Sequence, residues 1–275
     1  MRVLGIESSS LVASVALVTD DILTAEYTVD FKKTHSQTLL PMLDEIVKLL
    51  ELDMDTIDAI AVAGGPGSFT GLRIGAATAK GLGLALKKPL VHVPTVDAMA
   101  YNMWGAEGLI CPIMDAKRSQ VYTGLYHTRD ALEVVMEQQP MDMRELACLL
   151  NEKGERVIFL GDGVPVYKDI IREMLTVPHA FAPAQMNRQR AASVAALGMN
   201  ALLDAKGCPG ARVVTAAQFC VHNRTDLLDA KGCPGARVVT AAQFTPDYLR
   251  KPQAERQREA EQSAGGAAAK LPGDY

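Results

Sequence analysis

The stretch GGPGSFTGLRIG, Gly64 to Gly75, follows the apolar run IDAIAVA and precedes AATAKGLGLAL. A short apolar run, a cluster of turn residues and a longer run of helix formers read as strand, turn and helix. Helix N-termini offer free N–H groups and a positive dipole end, so such turns often hold phosphate. Neither phosphate signature is complete here. In the G-x-x-x-x-G-K-[ST] pattern, Leu72 stands five places after Gly67 and no lysine follows. In G-x-G-x-x-G, Gly65 and Gly67 fit but Thr70 takes the third place. The helix beyond is stranger than the turn. Gly71, Gly75, Ala79 and Gly83 recur every four residues. Each glycine inside a helix costs about 1 kcal/mol relative to alanine. Close approach of another helix or backbone is the usual compensation. Arg73, Lys80 and Lys87 argue against a membrane setting. The plainer alternative is that this flat face packs on its own subdomain.

Working outward, the chain reads as two halves built alike. RVLGIES, ASVALVT and ILTAEYTV predict three strands. SQTLLPMLDEIVKLLEL predicts a helix with Leu39, Leu43, Ile46, Val47 and Leu50 on one face. Thr38 would cap it, leaving Pro41 in the first turn. The strand DAIAVAG, the glycine helix, the strand PLVHVPT and the helix VDAMAYNMW follow. LICPIMDA, QVYTGLYH, LEVVMEQQ, MRELACLLNEK, RVIFLGDG and PVYKDIIREML then repeat the order, ahead of the Ala-rich RAASVAALGMNALLDA. The expected fold class is α/β, with two related subdomains of the actin-like ATPase type, each a mixed sheet flanked by helices. The expected boundaries are 1–108 and 109–200, then a duplicated segment, 201–244, and a largely disordered tail, 245–275.

Composition narrows the function. The chain has 275 residues, 48% of them hydrophobic, enough for a sizeable core, and a net charge of −4 gives no global basic bias for nucleic acid. No signal peptide and no apolar run of about 20 residues are visible. Five cysteines without C-x-x-C spacing fit a reducing cytoplasm. Five scattered histidines announce no metal site. LLDAKGCPGARVVTAAQF occurs at 202–219 and again, letter for letter, at 227–244. Structural repeats normally drift, so two perfect copies point to a recent tandem duplication or a gene-assembly error.

The glycine stretch GGPGSFTGLRIGAATAKGL resembles the signature of the TsaB (YeaZ) family of bacterial tRNA threonylcarbamoyladenosine synthesis. GIESSSLVASVAL, THSQTLLPMLDEIV, PLVHVPTVDAMA, PIMDAKRSQVYTGLY, FLGDGV and PDYLRKPQAE support it in order. Glu7 stands where many members have aspartate, and the duplication lengthens the chain.

The resemblance implies a non-catalytic partner of the catalytic paralogue TsaD, working with the ATPase TsaE and pairing with itself when alone. It implies tRNA contact only through that complex, and no membrane. Two metal-ligating histidines of the catalytic paralogue correspond to Thr95 and Met99 here, poor ligands for a dication. His92 reads as a packed or exposed histidine. Glu7, Ser8 and Ser9 are the candidates for nucleotide contact, without a glycine for close backbone approach. Asp115 with Lys117 and Arg118 reads as an anion site or a surface turn, and GDG at 161–163 as a lone tight turn. No tightly bound cofactor or metal is expected; ATP or ADP would sit at a subunit junction. The implied partner interface is a bundle of paired helices: Leu39, Leu43, Ile46 and Leu50 from one, Gly71, Leu72, Gly75, Ala79, Leu82 and Gly83 from the other. An active kinase of the same superfamily is the alternative from another class; a metalloprotease lacks its ligand histidines.

Overall fold

The computed structural model describes residues 1–207, 237–239 and 246. Expectations for the remainder of the duplicated segment and for the tail lie outside the described residues.

The first half runs β1 (Arg2–Glu7), β2 (Val12–Thr19), β3 (Ile22–Asp30), α1 (His35–Leu49), β4 (Ala59–Ala63), α2 (Phe69–Leu86), β5 (Leu90–Val93) and α3 (Thr95–Tyr101). The second runs β6 (Leu109–Asp115), β7 (Gln120–His127), β8 (Glu133–Asp142), α4 (Met143–Lys153), β9 (Val157–Leu160), α5 (Val164–Met174), β10 (His179–Phe181) and α6 (Ala191–Gly207). A last strand, β11 (Arg237–Val239), joins the first sheet. The first sheet has the order β11-β5-β4-β1-β2-β3 and the second β10-β9-β6-β7-β8. Within each half the hairpin strands are antiparallel and the strands reached through helices parallel. The repeated order is that of the two-subdomain α/β fold of actin-like ATPase type. It extends through β10, whose three residues carry too little pattern to stand out in the sequence.

The final helix of each half crosses to the other. α6 packs on β1, β2, β4 and β5 of the first sheet, and α3 packs on β6 and β7 of the second. This corrects the boundaries 1–108 and 109–200. The reason lies in the sheets: β1 and β4 are apolar on both faces, so α1 and α2 cover one face and another layer must cover the other. α6 supplies it through Val194, Ala195, Leu197 and Met199, packed with Val3, Ala59, Ala61 and Val91.

α1 begins earlier than its sequence suggests. Thr34, not Thr38, is the N-cap, and Pro41 lies inside the helix. The Thr38 hydroxyl turns back to the Thr34 and His35 carbonyls, at 3.4 and 3.3 Å. Burial of Leu39, Met42, Leu43 and Ile46 against the sheet outweighs the donor that Pro41 removes.

Candidate functional site

The glycine helix faces inward. Ser68 caps α2 by accepting from the Gly71 N–H at 3.3 Å. A Cβ at Gly71 would collide with the Ser8 carbonyl oxygen, and one at Gly75 with the Ser8 hydroxyl. Ser8 Oγ donates to the Gly71 carbonyl at 3.0 Å. Ala79 is buried with Leu4, Ile6 and Val62. The backbone that compensates the glycines is therefore the chain's own β1 and the turn after it. This corrects the expectation that the small face meets a partner. Leu39, Leu43, Ile46, Leu72, Gly71, Gly75, Ala79 and Gly83 are all buried within the first half. Of the expected interface set, Leu50 and, in part, Leu82 reach the surface. A helical stripe shows which residues share a face; the sheet to be covered decides which way it turns.

What α2 presents outward is a second stripe. On α2, Ala77, Gly81 and Leu84 share one exposed face, with Leu84 57% exposed; on α1, Leu40 and Leu49, the latter 80% exposed, reach the surface on opposite flanks of the buried face. Nothing lies within 4 Å of where a Cβ on Gly81 would sit.

The candidate nucleotide residues are turned in and covered. Glu7, Ser8 and Ser9 are buried. The Glu7 carboxylate accepts from the Ser9 N–H at 2.6 Å, while its Oε2 is buried without a hydrogen-bond partner. Burial pushes the Glu7 carboxyl up to about 7, and the Asp162 carboxyl of the second half adds to this. The Ser68 N–H donates to the Ser9 carbonyl at 2.6 Å, and a Cβ on Gly67 would strike the same oxygen. The glycine-rich turn thus fills the space over the β1–β2 turn in which a phosphate would need close backbone approach.

The facing turns of the second half are similarly occupied. Burial raises the Asp162 carboxyl, which accepts from Gln189 Nε2 at 3.2 Å. Burial also pushes Asp115 up, but the Lys117 ammonium and amide and the Tyr167 hydroxyl outweigh it and hold the carboxyl below its usual range. Lys117, Arg118 and Ser119 all take left-handed backbone, at φ of 63°, 58° and 61°. The Lys117 side chain folds onto Asp115 within this turn.

Thr95 and Met99 lie on α3. Met99 is 1% exposed and packs in an apolar cluster with Val96, Ile110, Met114 and Leu160. His92 is buried on β5, under Gly64, where any larger residue would meet its ring. Among the described residues, no group of three or more His, Cys, Asp and Glu side chains could hold a metal ion.

Comparison with known proteins decides the family. The model of the family described as TsaD, tRNA N6-adenosine threonylcarbamoyltransferase, matches residues 29–226. The tRNA threonylcarbamoyladenosine biosynthesis protein TsaB of Bacillus subtilis (strain 168) is 35% identical over 199 residues, 72% of this chain and 87% of that protein. The chain belongs to the TsaB family. The TsaB protein of Escherichia coli (strain K12) is 35% identical over 183 residues, 63% of this chain and 76% of that protein. The structure of YeaZ from Pseudomonas aeruginosa shares the fold, with a TM-score of 0.67 at 22% identity, covering 90% of this chain and 99% of that one.

Sequence reasoning missed a polar seam between the halves of this family member. Tyr126 on β7 donates to Asp97 on α3 at 2.7 Å, both buried. Burial raises Asp97 to about 7. Arg190 Nε donates to Glu26 at 3.1 Å and Arg188 Nε to Asp30 at 3.0 Å, tying the approach to α6 onto β3. No local spacing signals such partners, which are up to 164 residues apart.

Proposed function

We propose that the chain acts in tRNA threonylcarbamoyladenosine biosynthesis as a non-catalytic, activating subunit. It pairs with the catalytic subunit TsaD and works with the ATPase TsaE. Family membership supports the pathway. The observation that carries the non-catalytic reading is the closure of the glycine-rich turn over Ser8 and Ser9. The Ser8 hydroxyl and the Ser9 backbone N–H and carbonyl are hydrogen-bonded within the protein, and Met99 belongs to an apolar core. Any nucleotide of the assembly then sits at a junction between subunits.

The surface offered to TsaD is the outer face of α1 and α2. Ala77 and Gly81 allow a partner helix to approach closely, and Leu84 adds apolar area on the same face of α2. Two helices from each of two subunits close a four-helix bundle. Co-expression with untagged TsaD tests the reading. A stable complex that makes the modified nucleoside, with neither subunit active alone, supports it. Threonylcarbamoyl transfer by the isolated chain refutes it.

A further inference from the structure

The carboxyl ends of β1, β3 and β4 lie along one edge of the first sheet, because β3 and β4 both run in the direction of β1. Three segments leave the sheet there. The turn after β1 carries Leu11, and the loop after β3 carries Phe31, Lys32 and Lys33. The glycine-rich turn after β4 leads into Phe69 and Arg73. Leu11 and Phe31 flank the terminal Val12–Asp30 pair of the β2–β3 ladder and are 59% and 63% exposed. The bond from the Ser68 N–H to the Ser9 carbonyl draws the start of α2 onto the turn that ends in Leu11. Arg73 is exposed and holds its guanidinium 3.8 Å from the centre of the Phe69 ring. The charge along this edge has one sign. The first turns of α1 and α2 hold no acidic residue. Lys32, Lys33 and Arg73 form no ion pair among the described residues. Asp30, the carboxylate beside the two lysines in sequence, is bound to Arg188.

We propose that this edge is a contact surface for single-stranded RNA, resting on the tRNA pathway given above for the choice of RNA. The contact is made by this chain directly, whereas the family resemblance implies contact only through the complex. Singly exposed apolar side chains are ordinary; exposed apolar and aromatic groups set among unbalanced cations match the two components of a nucleic acid strand, flat bases and phosphates. Phe31 offers its exposed ring to one base. The Arg73 guanidinium, backed by Phe69, offers a second flat surface, since bases stack on guanidinium planes as they do on aromatic rings. Leu11 lies in the chain order of the sheet edge between them, and Lys32 and Lys33 meet the phosphates. In the order β4-β1-β2-β3 the ends of β4 and β3 are three strand spacings apart, about 14 Å. That span suits successive nucleotides of an open strand. A duplex keeps its base faces stacked within itself, so it meets the charge and neither platform.

The test is fluorescence anisotropy of a labelled oligouridylate of about 12 nucleotides, titrated with the full chain at several salt concentrations. Phe31→Ala and Arg73→Lys should each weaken binding by at least about five-fold and leave the salt dependence unchanged, since each removes a stacking surface and no charge. Lys32→Ala combined with Lys33→Ala should instead lower the slope of log affinity against log salt by about 1.4, the share of two phosphate contacts to a single strand. All four side chains are exposed, and equal melting temperatures confirm that the variants fold as the parent does. The proposal fails if the parent does not bind the strand, or if Phe31→Ala and Arg73→Lys bind it as tightly as the parent. It also fails if an RNA duplex of the same length binds as tightly as the strand, which marks a field of charge alone, or if UMP displaces the strand at equal nucleotide concentration, which marks a mononucleotide site. None of these failures touches the pathway reading, which co-expression with TsaD tests by the modified nucleoside.

Discussion

Ser68 donates its backbone N–H to the carbonyl of Ser9 at 2.6 Å, joining the glycine-rich turn directly to the turn that follows the first strand. The two stretches that most suggest a phosphate site are thereby each other's partners. Ser8 adds its hydroxyl bond to the Gly71 carbonyl, and the glycines of α2 are the residues that let the helix come this close.

Substitution on the two faces of α2 should give opposite results. Gly71→Ala and Gly75→Ala place a Cβ against Ser8, and each should destabilise the isolated chain by about 1–3 kcal/mol. Gly81 is exposed with open space around it, so Gly81→Ala should stabilise by about 0.5–1 kcal/mol through helix propensity. Urea unfolding of the three variants measures both signs.

The fold was legible because alternation and turn residues mark β1 to β9 strongly, and the repeat of order identifies the two halves. The direction of the α2 stripe was not, because Gly71, Gly75, Ala79 and Gly83 look the same whether a partner helix or the chain's own Ser8 fills the gap. The crossing of α3 and α6 was equally hidden. It depends on Met99 and Val194 packing on sheets from the other half, contacts with no local signature. Pro41 misled for a related reason. Its place in the first turn follows from local cost, and four buried apolar residues override that cost.

Stability should fall as pH rises toward neutrality through Asp97 and Glu7. Both have folded values of about 7 against 3.8 and 4.5 for the free groups, so the folded chain holds these protons more tightly than the unfolded chain. Their contribution is complete below the unfolded values and is lost as pH rises through about 7. Asp97→Asn keeps an acceptor for Tyr126 and removes the charge. Its melting temperature relative to the parent should rise between about pH 5 and about pH 8, by the equivalent of about 3 kcal/mol. A constant difference across that range would show that Asp97 does not titrate there.

The isolated chain should retain no stoichiometric metal after dialysis and should not turn over ATP. The apolar setting of Met99 and the covered Ser8–Ser9 turn both lead to this outcome. Metal analysis and a coupled ATPase assay check it; one zinc or iron per chain would overturn it.

The exposed stripe of α2 provides the sharpest test of the scaffold account. Ala77→Arg and Gly81→Leu alter its outer face and touch nothing in the core, so circular dichroism should match the parent and the melting temperature should not fall, rising for Gly81→Leu through helix propensity. Calorimetric titration of TsaD into each variant is the deciding measurement. The account predicts a loss of at least about 100-fold in affinity, since a bulky or charged group there must be desolvated or must hold the helices apart. Binding of both variants as tightly as the parent would contradict it.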